Sequence, residues 1–281
     1  FYGGDLAGIR SRLAYIADLG VGGIYLNPIL WSDSNHRYDT IDYHSVEPDI
    51  GTEEELKTLI EEAHALGLRV MIDAVFNHCG AKCALWQDVL EKGPQSDYYH
   101  WFCVNRWPID ERTHATKRGD YFSFAFVDNM PKFDTSEPDV MEYLTGIAKH
   151  WVCDWKVDGI RFDVGNEISH AFLKHLRLEL KKCNPKLFLL GEIWHDAFPW
   201  LLGDEYDSTM NYPFLACVNN FWADKTQSGT DFMHGINQCY SMYYEQVNRV
   251  LFNLLDSHDT DRLMERCHGN ADMFLAQLTV L

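Results

Sequence analysis

LRVMIDAVFNH, residues 68–78, is apolar for most of its length and turns polar at its carboxyl end, at Asp73 and then Asn77 and His78. An apolar run without strict alternation marks a strand covered on both faces. A helical pattern precedes it. Thr52 and Glu55 form a capping-box pair, Leu56, Leu59, Ile60, Ala63 and Leu66 recur at helical spacing, and Gly67 stops the run. Working outward, the rhythm repeats. Upstream, Leu6, Ile9, Leu13, Ile16 and Ala17 predict one helix closed by Gly20, and GGIYLNPI (22–29) predicts a strand. Downstream, Val140, Leu144, Ile147 and Trp151 predict a helix before the strand GIRFDV (159–164). Phe172, Leu173, Leu176 and Leu180 predict another, closed by Asn184-Pro185, before LFLLGEIW (187–194). EYDSTMNY (205–212) is a weaker strand, a helical region over roughly 213–247 precedes RVLFNLLD (249–256), and the chain reads as helix again from about Asp259.

Repeated strand–helix units with near-continuous apolar strands mean a parallel sheet covered by helices, an α/β fold. Polar groups sit at the carboxyl ends of several strands: Asp73 with Asn77 and His78, Arg161 with Asp163, Glu192, Asn211, and His258 with Asp259. That distribution points to a TIM-type (β/α)8 barrel, whose active site is assembled from many strand ends. A doubly wound sheet would gather its chemistry at one crevice, usually with a Gly-rich phosphate loop, and neither GxGxxG nor a Walker sequence occurs. From Asn77 to Asp134 the rhythm breaks down in a segment rich in aromatics, among them Trp86, Trp101, Phe102, Trp107, Tyr121 and Phe124. So long a connection is a functional excursion or subdomain. The domains are therefore 1–76 (first part of the barrel), 77–134 (the excursion) and 135–281 (the rest of the barrel).

The 281 residues carry a formal net charge of −18, with 46% hydrophobic and 23% charged residues. This is a globular composition, and the acidic balance argues against nucleic acid as a partner. No apolar run reaches the length of a membrane span. The start lacks both Met and the pattern of a secretory signal, and is not expected to be a natural start. Eight scattered cysteines are too dilute for a disulfide scaffold and point to a reducing compartment, here the cytoplasm. Cys79 and Cys83 beside His78 faintly resemble zinc ligands, but no second pair follows at finger-like spacing.

Asp163, Glu192 and Asp259 are carboxylates on three separate strand ends. Crowded at one barrel mouth they would repel, and at least one would have a raised pKa. One acid with one ionised nucleophile is the equipment for cleaving a glycosidic bond. Arg161, two residues before Asp163 and on the same side of the strand, can hold that carboxylate ionised. His78 and His258 can donate to sugar hydroxyls, and Tyr38 and tryptophans such as Trp194 can stack on sugar rings. Each residue alone also has a plainer reading: a helix cap, an ion pair, a buried histidine, or, for the aromatics, the core of the excursion. Their coincidence at successive strand ends favours chemistry.

DAVFNH (73–78), GIRFDVGNE (159–167), GEIWHDA (191–197) and LLDSHDT (254–260) resemble, in order, the four signature regions of the α-amylase family of glycoside hydrolases, family 13. MPKFDT (130–135) resembles the extra signature of its neopullulanase, cyclomaltodextrinase and maltogenic-amylase subgroup, which usually reads MPKLN there. FYGGDLAGI, RYDTIDYHSVEP and GDEYDSTMNYPF extend the resemblance along essentially the whole chain. It implies hydrolysis of α-1,4-glucosidic bonds with retention. Asp163 would be the nucleophile, Glu192 the acid and then the base, and Asp259 the transition-state stabiliser. Arg161, His78 and His258 would line the subsite of the cleaved sugar, with Tyr38 stacked on it. Glu167 would serve acceptor-side binding, Asp73 would be a structural polar residue, and 77–134 would be domain B. Retention calls for about 5–5.5 Å between the Asp163 and Glu192 carboxyls. No cofactor is required. Calcium is possible, near Asn77 or beside Gly3 and Asp5. The partners would be an α-glucan oligosaccharide or cyclodextrin, with no membrane and no nucleic acid, and the full-length protein would be a homodimer.

The resemblance also numbers the strands. GGIYLNPI matches the family's second and RVLFNLLD its seventh, so strands 1 and 8 are expected to be missing and the barrel incomplete. The alternatives are a truncated, inactive piece of the hydrolase, or a non-catalytic sugar-binding or scaffold relative. The latter is weakened because Asp163, Glu192 and Asp259 are all retained.

Overall fold

A computed structural model describes residues 3–110 and 114–281 of the chain. Of the 77–134 excursion, positions 111–113 lie outside the described residues. The chain divides into two compact units, Phe1–Leu189 and Leu190–Leu281.

In the first unit, strand β1 (Gly23–Leu26) pairs in parallel with β4 (Arg69–Ala74), and β4 with β5 (Gly159–Phe162). Val70, Ile72, Ala74, Ile160 and Phe162 are buried, as the continuous apolar runs require. Gly23 opens β1 because a Cβ there would come within 2.8 Å of the Arg69 carbonyl oxygen across the pair. Between β1 and β4, β2 (Leu30–Ser32) and β3 (Thr40–Val46) form an antiparallel pair that the apolar periodicity did not announce. Its register shifts at two points, so no clean alternation marks it in the sequence.

Helices cover these strands. The predicted helix over residues 6–17 is two, α1 (Leu6–Arg10) and α2 (Leu13–Asp18). Ser11 breaks it by turning its hydroxyl back onto the Gly8 carbonyl at 2.7 Å. Helix α3 (Glu53–Ala65) opens on the complete Thr52–Glu55 capping box and buries Leu56, Leu59, Ile60 and Ala63. Helix α4 (Ala84–Lys92) lies in the excursion. Helix α5 (Pro138–His150) runs on into a π-turn at Trp151–Trp155 before β5, and α6 (His170–Cys183) ends at Asn184 as expected. The excursion folds around aromatic rings: Trp86 lies 4.9 Å from Phe102 and 4.7 Å from Tyr121, and Phe102 stacks on Phe133 at 5.0 Å. For these four residues the plain reading of the aromatic run holds.

The second unit begins inside β6 (Phe188–Gly191), which pairs in parallel with β7 (Ser208–Asn211), and β7 pairs with β8 (Phe252–Asn253). Gly191 has no room for a side chain, since a Cβ would sit 2.5 Å from the Tyr206 ring. The predicted helical region over 213–247 resolves into α7 (Tyr212–Trp222), α8 (Gly229–Ser241) and α9 (Glu245–Asn248). Lys225 at φ +53 turns the chain after α7, and Ser228 with Asp231 caps α8 with a second capping box. RVLFNLLD supplies only a two-residue strand. Helices α10 (Leu263–Arg266) and α11 (Ala271–Leu278) close the chain and pack Leu263, Cys267 and Met273 against Phe214, Val218 and Leu255. Among the described residues no helix is long and apolar enough to cross a membrane, and all eight cysteines are free thiols.

Candidate active site

The register of β4 against β5 sets Asp73 directly beside Arg161. Both side chains are fully buried, with Arg161 Nη1 3.0 Å from the Asp73 carboxylate. Asp163 follows Arg161 by two residues, so it points to the same side, and the same Nη1 donates to Asp163 Oδ1 at 2.9 Å. One guanidinium thus serves two carboxylates. Asp73 has two further donors. The Tyr38 hydroxyl reaches its Oδ2 at 2.9 Å, and the Tyr25 hydroxyl, from the neighbouring β1, donates to the same oxygen. Burial, reinforced by the Asp73 charge, pushes both phenols above their usual range, so both remain protonated donors. Burial opposes the charge on Arg161, but Asp73, Tyr25 and Asp163 together hold its pKa well above the ordinary value. The Arg161 guanidinium also lies 5.8 Å from the Tyr38 ring centroid.

After Asp163 the chain turns sharply. Val164 adopts a left-handed conformation at φ +47, which a β-branched residue rarely accepts. Such strain costs on the order of 1–3 kcal/mol and is held only by well-determined surroundings. A short 3-10 turn (Gly165–Glu167) follows, and Glu167 Oε2 meets Lys132 Nζ at 2.7 Å. The subgroup-like MPKFDT segment and the region carrying Asp163 are thereby tied together.

His78 is buried. Its Nε2 lies 2.9 Å from the Tyr38 carbonyl, its Nδ1 3.2 Å from Asn77 Nδ2, and its ring stacks on Phe124 at 5.1 Å. This geometry uses His78 to hold the Tyr38 backbone; it does not present a bare donor to a sugar. Burial lowers its pKa from 6.5 to about 4. The folded chain then keeps the ring neutral where the unfolded chain protonates it. The resulting stability is fully present above pH 6.5 and falls away as pH drops towards 4, by roughly 3 kcal/mol in all. Urea midpoints between pH 7 and pH 4.5 should show this loss, and His78→Gln should flatten it; equal pH dependence in both proteins would refute the assignment.

In the second unit Glu192 lies just past β6, with its carboxylate Oε1 accepting from Trp194 Nε1 at 3.1 Å. The Trp194 ring stacks on Tyr212 with centroids 3.7 Å apart and planes 7° from parallel, which fixes the donor. Trp194 is half exposed. Beyond β8, His258 Nε2 pairs with Asp259 Oδ2 at 3.1 Å, and both side chains reach solvent.

The proposed cation ligands are separate matters. Asp5 caps α1 by accepting from Gly8 N at 2.6 Å, and Gly3 is exposed. Asn77 Oδ1 is buried without a hydrogen-bond partner among the described residues, a carbonyl of the kind a hard cation takes. It fits calcium as one ligand of the six to eight that ion needs. The Cys79–Cys83–His78 reading loses its histidine, because both nitrogens of His78 are engaged. Among the described residues the cluster with metal-ligating spacing is His100, Glu137 and Asp139, on the surface.

Sequence reasoning missed Tyr25, Lys132 and Tyr212. Tyr25 had a signal: the only hydroxyl in an otherwise apolar strand. Lys132 and Tyr212 act through pairings that spacing does not encode.

Comparison with known proteins matches residues 2–281 to the alpha amylase catalytic-domain family. The cyclomaltodextrinase of Geobacillus thermopakistaniensis is 46% identical over 99% of this chain and 47% of its own length. The intracellular maltogenic amylase of Bacillus subtilis is 45% identical over 96% of this chain and 45% of its own. Among solved structures, the cyclic alpha-maltosyl-(1→6)-maltose hydrolase of Arthrobacter globiformis superposes with a TM-score of 0.94 at 34% identity, covering 100% of this chain and 63% of that one. The chain spans about half the length of the curated relatives it matches.

Proposed function

Because the chain belongs to the α-amylase family, we propose that it supplies the catalytic residues of a retaining α-glucan hydrolase acting on α-1,4-glucosidic bonds of cyclodextrin, pullulan or starch. Asp163 attacks the anomeric carbon while Glu192 protonates the departing glycosidic oxygen. The sugar is then held as an ester on Asp163. Glu192, now a carboxylate, takes a proton from water, which attacks the same carbon and releases the sugar with its original configuration. Asp259 and His258 bind hydroxyls of the reacting sugar, Tyr38 and Trp194 offer ring faces, and Glu167 serves the acceptor side. No cofactor enters this mechanism, and calcium is given no step.

The observation that carries the reading is the 2.9 Å bond from Arg161 to Asp163 at the end of β5. A nucleophilic carboxylate must stay ionised, and a buried guanidinium beside it achieves that. Retention of Asp163, Glu192 and Asp259 together weighs against a non-catalytic sugar-binding relative. We further propose a cytoplasmic location, supported by the name of the Bacillus subtilis relative, and a homodimeric full-length protein, supported by the subgroup resemblance.

The test is product analysis with cyclodextrin, pullulan and starch, on a form as long as the matched relatives. Maltose from cyclodextrin and panose from pullulan are expected, with the α-anomer formed first by NMR. No turnover of any of the three, or a β-anomer first, would overturn the proposal.

A further inference from the structure

Asp73 and Asp163 share one nitrogen of Arg161, and Asp73 has two further donors of its own. Asp73 Oδ2 receives the hydroxyls of Tyr25 and Tyr38, while Arg161 Nη1 stands 3.0 Å from both Asp73 oxygens and 2.9 Å from Asp163 Oδ1. Tyr38 is already assigned to the sugar. Tyr25 is not: it sits in β1, one strand away from Asp73 and two from Asp163, and its hydroxyl is spent on Asp73. A carboxylate with two phenolic donors needs less from its guanidinium.

We infer that Tyr25 is a positioning residue for the nucleophile, satisfying Asp73 so that Arg161 can direct a hydrogen bond to Asp163. The inference rests on Asp163 being the nucleophile. Among the groups of this unit that bear on Asp163 are Arg161 from β5, Tyr38 ahead of β3, Tyr43 within β3, and Asp73 of β4 acting through Arg161. Removing the Tyr25 hydroxyl leaves Asp73 drawing harder on Arg161. Asp163 is then less well stabilised as an anion, and its protonation moves to higher pH. Replacing Asp73 by asparagine does the reverse: Arg161 loses its other anionic partner and turns to Asp163.

The experiment compares Tyr25→Phe and Asp73→Asn with the parent protein in pH profiles of kcat/KM on a cyclodextrin. Tyr25→Phe should lower kcat about tenfold with little change in KM, as loss of a hydrogen bond to a charged group predicts. Its acidic limb should shift upward, and that of Asp73→Asn downward. A merely structural role would move neither limb, or both in the same direction, and either result overturns the inference. Asp163→Asn separates the two levels. If it retains activity, the assignment of the nucleophile fails. If it is inactive while the Tyr25→Phe limb stays in place, the inference about Tyr25 fails alone.

Discussion

Arg161→Leu is expected to cost about 3–5 kcal/mol of folding stability, more than any other single replacement in this site, because it strands charge. Arg161 and Asp73 are both fully buried, and Asp163 is nearly so. With the guanidinium gone, two carboxylates in a low-dielectric interior lose the cation they share. They must share a proton or open a path to water, and both carry a free-energy cost. Denaturant midpoints at pH 7 give the measurement. Acidification should partly rescue the variant, since protonating one carboxylate removes the repulsion. Arg161→Leu combined with Asp73→Leu should recover much of the loss, because an apolar pair can replace a buried ion pair at little net cost. A drop of less than about 1 kcal/mol, the value of an exposed pair, would show that the network is open to solvent.

Glu192→Gln is expected to lower kcat/KM on cyclodextrin by roughly three orders of magnitude or more, while leaving the fold intact. Glutamine keeps the size of the side chain and an oxygen to accept from Trp194, so the 3.1 Å contact and the stacked Trp194–Tyr212 pair can persist. What it loses is the proton. The loss should therefore depend on the leaving group. Aryl α-maltosides with acidic phenols need little protonation and should be cleaved much faster than cyclodextrin by the variant, with a burst as the ester accumulates. A uniform loss across leaving groups would point to misfolding or lost binding and would remove Glu192 from the acid–base role.

Much of the first unit was legible in the sequence because its signals are local. Thr52 and Glu55 announce α3, continuous apolar runs announce β4 and β5, and the two-residue spacing of Arg161 and Asp163 puts both on one side of a strand. What escaped was set by register and by loops. The β2–β3 pair has an irregular register and therefore no clean period. The break at Ser11 depends on a hydroxyl choosing the Gly8 carbonyl, and serine does the same in many intact helices. Tyr25 reaches Asp73 across the β1–β4 pair, 48 residues away in the chain, a relation that exists only once that pair forms. His78 shows the limit from the other side. Its position at a strand end was read correctly, yet only the fold reveals that Tyr38 and Asn77 occupy both its nitrogens.

The excursion holds itself together by rings that face inward, Trp86, Phe102, Tyr121 and Phe133, all nearly inaccessible, while Trp107, Phe122 and Phe126 face outward. Its stability and its surface are thus written in different residues. Mutation can rework the outer aromatics without touching the packed set, since exposed substitutions away from such features usually shift stability by only about half a kcal/mol. The outer face of this segment is therefore open to variation, and a library randomised at the three outer rings should keep a high proportion of folded members.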